Sequence, residues 1–232
     1  MHPEYQPEEP TKKQNYSEET LRKYRQATAD YVNFVKNLLQ DDTAGGRCVN
    51  FPCEISENMV RFIIMNKEGD ETVTRECVGD LRSDRKGKIE VKCFASTGPI
   101  SFSPKPQWNV IYFLDAKKWI SDDHYVCWRC DLGATDERWQ GVMINKTTTF
   151  ATRAGAGTRP RIKWTALYPQ ISEFCTKIYE GSFEGVFTRS DVGPVAGQSD
   201  GPPEPTPRSP PVCTGVSPPE PEACTSEETP EN

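Results

Sequence analysis

The sequence lacks three features that would each define a class of protein. It contains no run of about 18 apolar residues, so no membrane-spanning helix is expected. Its first residues, MHPEYQPEEPTKKQ, lack the apolar stretch of a secretory signal. It has no glycine-rich phosphate loop followed by Lys and Ser or Thr, which argues against an ATP-driven activity. The sequence therefore predicts a soluble cytoplasmic protein with no membrane association and no nucleotide cofactor.

Apolar residues are also scarce, because they make up only 35% of the 232 residues, below the average for globular domains. The deficit is concentrated in residues 191–232, where 11 of the 20 prolines and a net charge of −7 lie. Such a segment cannot bury enough surface to offset the entropy lost on ordering, so we expect an acidic, proline-rich, disordered tail. Residues 1–16 are also expected to be flexible, which leaves one domain over residues 17–190.

The net charge of −6 would argue against a polyanionic partner if it were spread evenly along the chain. It is not, because residues 45–190 carry 21 bases and 18 acids, a net charge of +3. Only the local field of this middle part matters for binding a nucleic acid. A nucleic-acid partner is therefore compatible with the sequence.

The nine cysteines are scattered and odd in number, which fits reduced thiols better than a disulfide framework. Cys127 and Cys130 form a CxxC pair, three residues after His124. A structural zinc site would need a fourth ligand, such as Cys48 or Cys53. On a strand, Cys127 and Cys130 would point to opposite faces. Buried free thiols are therefore favoured over a zinc site.

The hydrophobic periodicity predicts a mixed α/β domain, with a central mixed β-sheet flanked by helices. Helical spacing runs from an N-cap at Ser17 to about Asp41, and again from Glu54 or Ser56 through SENMVRFIIMN. Four extended segments rich in β-branched and aromatic residues follow, over residues 72–81, 88–95, 109–115 and 124–130. A last amphipathic helix is predicted over residues 169–179.

One predicted strand carries two charges on one face. In Ile89-Glu90-Val91-Lys92 the polar and apolar positions alternate, so on a strand Glu90 and Lys92 would point to one face, at the edge of a core, and the two apolar residues to the other. Asp80 lies ten residues before Glu90, and a hairpin with its turn near residues 84–87 would bring the two carboxylates together. Two carboxylates and a backbone carbonyl form an oxygen site suited to Mg²⁺. The arrangement favours metal-assisted chemistry on a phosphate.

This pattern resembles the PD-(D/E)XK nuclease superfamily, with Gly79 in the place of the usual proline, and its type II restriction endonucleases in particular. The resemblance implies that Asp80, Glu90 and the Val91 carbonyl bind Mg²⁺ and that Lys92 is the catalytic lysine. It also implies a further acid from an earlier helix, with Glu57 as the best candidate and Glu54 as the second. The implied fold is a restriction-endonuclease-like core, catalytic over residues 54–115, and the implied reaction cuts double-stranded DNA to leave 5′-phosphates.

Residues 146–163, KTTTFATRAGAGTRPRIK, contain five cations and no acid. Arginine can pair with guanine, and lysine and threonine can hold phosphates, so we interpret this basic segment as the DNA-recognition element. The alternative is a solvated basic loop. A second phosphate contact is predicted from Arg82 and Lys86, with Arg85 and Lys88 beside them, although these residues also suit a charged hairpin turn. The five cations of the basic segment are Lys146, Arg153, Arg159, Arg161 and Lys163.

Double-strand cleavage at a symmetric site favours a homodimer with two active sites, and the first helix is a candidate for its interface. Two alternatives remain open at this stage. One is a repair or junction-resolving nuclease with the same metal site, and the other is a DNA-binding module in which Glu90 and Lys92 form an incidental pair. With His2 and His124 the only histidines, chemistry of the HNH-nuclease type is poorly supported.

Overall fold

The computed structural model describes residues 13–40, 50–77 and 79–189, and all of them fall within one compact unit. Two helices come first in the chain, α1 (Glu18–Gln40) and α2 (Cys53–Lys67). Three shorter helices follow later, α3 (Glu137–Gln140), α4 (Phe150–Gly155) and α5 (Trp164–Ile171). Two 3₁₀ turns, Ser172–Phe174 and Glu184–Phe187, complete the helical elements of the described residues.

The strands form one large sheet and one small one. Their bounds are β1 (Thr74–Arg75), β2 (Leu81–Ser83), β3 (Gly87–Phe94), β4 (Pro99–Ser101), β5 (Val110–Lys118), β6 (His124–Cys130), β7 (Arg161–Lys163) and β8 (Cys175–Gly181). The large sheet has the order β1-β2-β3-β5-β6-β8, and β4 pairs with β7. In the large sheet β3 and β5 are parallel and all other neighbours are antiparallel. The predicted mixed α/β fold with a central mixed sheet is therefore confirmed.

Each face of the large sheet covers its own hydrophobic core, because side chains alternate along every strand. Val91 and Tyr112 belong to the core that also contains residues of α1 and α2. Phe113, on the other face of β5, packs with Trp139 and Leu167 in a second core. Helix α2 is the most enclosed element, since residues 55–64 are all buried. The sheet is thus packed on both sides.

The start of α1 and the β2–β3 hairpin follow the sequence-based predictions. The Ser17 hydroxyl accepts a hydrogen bond from the Thr20 amide at 3.1 Å, as an N-cap should. The hairpin turns after Ser83, and Gly87 begins β3 with a φ of 67°, a conformation that glycine adopts without steric cost. A Cβ at Gly87 would lie 2.5 Å from the Asn109 side-chain oxygen, which accepts a hydrogen bond from the Lys88 amide. This glycine therefore lets the hairpin pack closely against the start of β5.

Two element predictions are wrong. Residues 72–81 are not one strand, because β1 and β2 contribute two and three residues and lie antiparallel to each other. Residues 169–179 are not one helix, because α5 ends at Ile171 and β8 begins at Cys175. β8 completes the backbone hydrogen bonding of β6, and this pairing overrides the helical spacing of its apolar residues.

The cysteine pair lies as the strand geometry requires. Cys127 belongs to one core and Cys130 to the other, so their thiols point to opposite faces of β6. Burial raises the pKa of the Cys127 thiol. The pKa of Cys130 is raised first by its hydrogen bond with Cys175 and then by burial. Both shifts favour the neutral thiols. Of the two further zinc ligands considered, Cys53 is exposed and its thiol donates a hydrogen bond to Glu54, and Cys48 lies outside the described residues.

Among the described residues, no helix is long and apolar enough to cross a membrane. The predicted tail at residues 191–232 lies outside the described residues, as do residues 1–12 of the segment expected to be flexible. The remaining residues of that segment make specific contacts. The Asn15 side chain accepts a hydrogen bond from the Arg75 amide at 2.9 Å, and the Tyr16 amide donates to the Asn58 side chain at 2.9 Å. Residues 13–16 therefore lie against α2 and β1.

Candidate active site

Strand β3 presents Glu90 and Lys92 on the face opposite to Ile89 and Val91, which are buried in the core. The Lys92 ammonium lies 2.5 Å from Oε1 of Glu90, and the two side chains are 20% and 18% exposed. Lys92 also lies over the ring of Phe102, with Nζ 5.7 Å from its centroid. The pair is therefore accessible to a ligand, yet it is largely shielded from bulk water.

Asp80 immediately precedes β2, and its Oδ2 accepts a hydrogen bond from the Val91 amide at 2.7 Å. The antiparallel register of β2 and β3 pairs Leu81 with Ile89, which brings Asp80 beside Glu90. The electrostatics agree with this placement. Burial raises the pKa of Glu90, Lys92 opposes the shift, and the negative charge of Asp80 raises the pKa further. The hairpin thus brings two acids and one ammonium together at the end away from its turn, which we call the hairpin rim.

Glu57 lies on α2, and the negative charge of Asp80 also affects the pKa of its carboxyl group. Burial raises its pKa first, and the field of Asp80 adds to the shift, while a hydrogen bond from Arg75 opposes it. Arg75 donates to Oε2 of Glu57 from Nε at 2.9 Å and from Nη2 at 2.7 Å. The two side chains are 5% and 6% exposed. Glu57 is therefore the third acid near the hairpin rim, but it already has a buried cationic partner.

Lys13 supplies a second cation to the same acid. Its ammonium lies 3.4 Å from both carboxylate oxygens of Glu57 and donates to the Gly79 carbonyl at 2.8 Å. Its positive charge also opposes the raised pKa of Glu90. The sequence does not predict these contacts of Lys13 and Arg75, because their separations from Glu57, 44 and 18 residues, follow no local pattern.

These residues suit a site for one divalent ion with few protein ligands. Within the described part of the chain, no three His, Cys, Asp or Glu side chains are grouped as a ready metal centre. Mg²⁺ commonly uses one or two carboxylates and retains several waters, so Asp80 and Glu90 with a nearby carbonyl are chemically sufficient. A divalent ion would also relieve the repulsion between the two acids. Glu54, the second candidate for the additional acid, is half-buried, and its carboxylate accepts a hydrogen bond from the Cys53 thiol at 3.2 Å.

Two cavities adjoin β3. One of about 320 Å³ is lined by Lys92, Phe94 and Ser101, and one of about 280 Å³ is lined by Lys88, Glu90 and Lys105. Lys92 therefore lines one recess and Glu90 lines the other. Such recesses give a substrate access to both charged groups.

The basic segment is anchored at its apolar positions and exposed at its cations. Phe150 and Ile162 are buried in the second core, and the Thr149 hydroxyl caps α4 by accepting from the Thr152 amide at 3.2 Å. Within the described residues, none of its five cations makes an ion pair. The exposed cations are Lys146, Arg153, Arg159, Arg161 and Lys163. The segment is thus a fixed scaffold that presents unneutralised positive charge.

Two cations of the hairpin, Arg82 and Lys86, are less available than those of the basic segment. Lys86 is 18% exposed, and its ammonium lies 3.5 Å from both Glu68 and Asp70. Arg82 is exposed but lies 3.3 Å from a carboxylate oxygen of Glu76. Both would have to exchange an existing partner for a phosphate.

The family comparison places these features in a known context. A family model described as Bsp6I restriction endonuclease matches residues 17–168 of the chain. The match covers more than half of the sequence and includes the hairpin, β3 and the whole basic segment. Comparisons with curated proteins and with solved structures gave no significant match.

Proposed function

The chain belongs to the Bsp6I restriction endonuclease family and is thus a type II site-specific deoxyribonuclease; we propose that it cuts double-stranded DNA with Mg²⁺ held by Asp80 and Glu90. The cleaved bond is the phosphodiester, and the products carry 5′-phosphates. The observation that carries this proposal is the convergence of Asp80, Glu90 and Lys92 at one hairpin rim inside the matched region. On this assignment the chain is a member of the PD-(D/E)XK nucleases.

The residues divide the chemistry between them. A bound Mg²⁺ supplies Lewis-acid polarisation of a phosphoryl oxygen and a more acidic water. Asp80, Glu90 and the Val91 carbonyl hold the ion, and Lys92 orients the attacking water and stabilises charge on the phosphate. Lys92 is already positioned by Glu90 and by the ring of Phe102. Its ammonium therefore needs little rearrangement when the substrate arrives.

Glu57 is the weakest of the proposed metal ligands. Arg75 and Lys13 already bind its carboxylate, so Glu57 would have to release one of them to face an ion. Its charge still contributes to the negative field around Asp80 and Glu90 at a distance. We therefore assign Glu57 to the site as an outer acid, with Asp80 and Glu90 as the inner pair.

We assign DNA recognition to the basic segment. Its five cations are exposed without ion-pair partners among the described residues, so a polyanion can bind them without displacing an acid. Arg82 is proposed as an additional phosphate contact, and Lys86 as a weaker one because Glu68 and Asp70 already neutralise it. Contacts from arginine to base edges give sequence specificity, and contacts to phosphates give affinity.

A homodimer would place one active site on each DNA strand, and α1 offers a surface for it. Three aromatic side chains of this helix point to solvent, with exposures of 36% for Tyr24, 57% for Tyr31 and 60% for Phe34. They recur at spacings of seven and three residues, so they form one stripe on a helix. An adjacent side of α1, including Leu21 and Val32, is buried in the core of its own domain. A second copy of the chain is the occupant that we propose for the aromatic stripe.

Incubation of the full chain with plasmid DNA and Mg²⁺ tests the proposed function. The expected result is a set of discrete fragments that have 5′-phosphate ends and that do not form when EDTA is present. Fragments whose formation is unaffected by EDTA would contradict the metal assignment. Retarded but intact DNA, with each divalent ion tried, would contradict the assignment of a nuclease.

A further inference from the structure

The segment that follows β3 faces both recesses beside the proposed active site. Ser101 lines the recess at Lys92, and Ser103, Lys105 and Gln107 line the recess at Glu90. Residues 99–107 therefore border both recesses beside β3. This segment, which we call the 99–107 wall, was not among the residues that the motif or the basic segment identified.

The wall has the charge expected of a surface that contacts a polyanion. From Val91 to Leu114 the sequence contains Lys92 and Lys105 but no Asp or Glu. Lys105 is exposed, and within the described residues its ammonium makes no ion pair. Its backbone amide donates to the Ser103 hydroxyl at 3.1 Å, which fixes the local turn and leaves the side chain free.

Ser101 carries an unusual hydroxyl. Its Oγ is enclosed, yet it has no hydrogen-bond partner among the described residues. A buried polar group without a partner costs free energy, so its persistence next to the recess at Lys92 points to a ligand that completes its hydrogen bonding. A phosphate oxygen is the acceptor that the same recess would receive under the proposed function.

The wall is also joined to the basic segment by the small sheet. β4 pairs antiparallel with β7, so that Ser101 lies opposite Arg161 and Pro99 lies opposite Lys163. The Phe102 amide extends this pairing by donating to the Pro160 carbonyl at 3.0 Å. Ser101 is thus attached directly to the element that we assign to DNA recognition.

We propose that the 99–107 wall holds the cleaved DNA strand against β3, with Ser101 and Lys105 binding phosphates on either side of the reacting one. The inference rests on the proposed function, and it adds two substrate-binding residues to it. Lys88, Glu90 and Lys92 recur every second residue on β3, about 7 Å apart, so the groove between β3 and the wall is longer than the reacting centre. Ser101 binds a phosphate at the end of the groove near Lys92, and Lys105 binds one at the end near Glu90.

The salt dependence of DNA binding tests Lys105. For Lys105→Ala in the full chain, measured with Ca²⁺ in place of Mg²⁺, the slope of log K against log[salt] should fall by about 0.9. The loss of affinity should be similar for specific and unrelated duplexes, because a phosphate contact carries no sequence information. Lys177→Ala, which removes the same charge on β8 across the sheet, should keep the original slope. An unchanged slope in Lys105→Ala would overturn this half of the proposal.

Single-turnover cleavage in Mg²⁺ tests Ser101. Ser101→Ala should cut about 10- to 100-fold more slowly, which corresponds to the free energy of one hydrogen bond to a charged group. Its slope of log K against log[salt] should be unchanged. Ser101→Thr, which retains the hydroxyl, should recover most of the rate, and Ser121→Ala on an exposed loop should match the unaltered protein. A normal rate for Ser101→Ala, or no recovery by Ser101→Thr, would overturn the assignment of Ser101. Failure of the unaltered protein to bind or cut DNA would instead overturn the proposed function, and this inference with it.

Discussion

Replacement of Glu90 by glutamine is expected to reduce the single-turnover rate of DNA cleavage by about 1,000-fold or more. The amide is the same size as the carboxylate but has no charge, so Asp80 alone would have to retain the divalent ion. Loss of metal-derived stabilisation of several kcal/mol corresponds to this factor in rate, since about 1.4 kcal/mol is tenfold. Quenched-flow or gel-based single-turnover cleavage at saturating enzyme measures the effect.

Binding of DNA should survive the same substitution. Glu90 is an acid in the groove that we propose for the DNA, so Glu90→Gln should bind duplex DNA at least as tightly in a gel shift without divalent ions. Glu180→Gln, an exposed change on β8, is the matched control and should cut at the normal rate. Cleavage by Glu90→Gln within tenfold of the unaltered protein would show that the proposed metal ligand is not needed.

Arg75→Met is expected to lower the free energy of unfolding by about 3–5 kcal/mol, because it leaves Glu57 as a buried charge without its nearest partner. Arg75 and Glu57 are nearly enclosed, and Arg75 makes two short bonds to one carboxylate oxygen. It also donates to the Gln14 carbonyl at 3.0 Å, so residues 13–16 should loosen with it. For a domain of this size the loss corresponds to roughly 6–20 °C in Tm, which calorimetry in metal-free buffer measures.

Two further variants separate the charge effect from simple loss of packing. Arg75→Met combined with Glu57→Leu should recover much of the lost stability, because replacing a buried ion pair by apolar groups is often close to neutral. Arg82→Met breaks an exposed pair with Glu76 and should cost about 1 kcal/mol or less. A Tm for Arg75→Met equal to that of the unaltered protein would contradict the buried pairing, and no recovery in the double variant would contradict its electrostatic cause.

Much of the candidate site could be predicted from the sequence because its geometry is local. The alternation over residues 89–92 fixes which side of β3 each side chain takes, whatever the rest of the fold does. The spacing from Asp80 to Glu90 and the glycine at position 87 define a hairpin that needs no distant contact. The N-cap at Ser17 is also a property of a few neighbouring residues. These predictions agree with the structure, and the roles given to Asp80, Glu90 and Lys92 remain proposals.

The features that sequence reasoning missed depend on distant parts of the chain. β8 is a strand because β6 offers it an unpaired edge, although its apolar spacing favours a helix. Lys13 and Arg75 meet Glu57 only after α2 and β1 have packed together, so no spacing in the sequence connects them. Tertiary contacts therefore decide both the last strand and the electrostatic partners of the third acid.

Anomalous diffraction from crystals of the full chain soaked with Mn²⁺ tests the central claim most directly, since carboxylate sites that take Mg²⁺ also take Mn²⁺. We expect an anomalous peak between the carboxylates of Asp80 and Glu90, next to the Val91 carbonyl and within reach of Lys92. The same experiment on Glu90→Gln should give a weak peak or none. A peak elsewhere, or full occupancy in Glu90→Gln, would contradict the assignment of these two acids as the metal ligands.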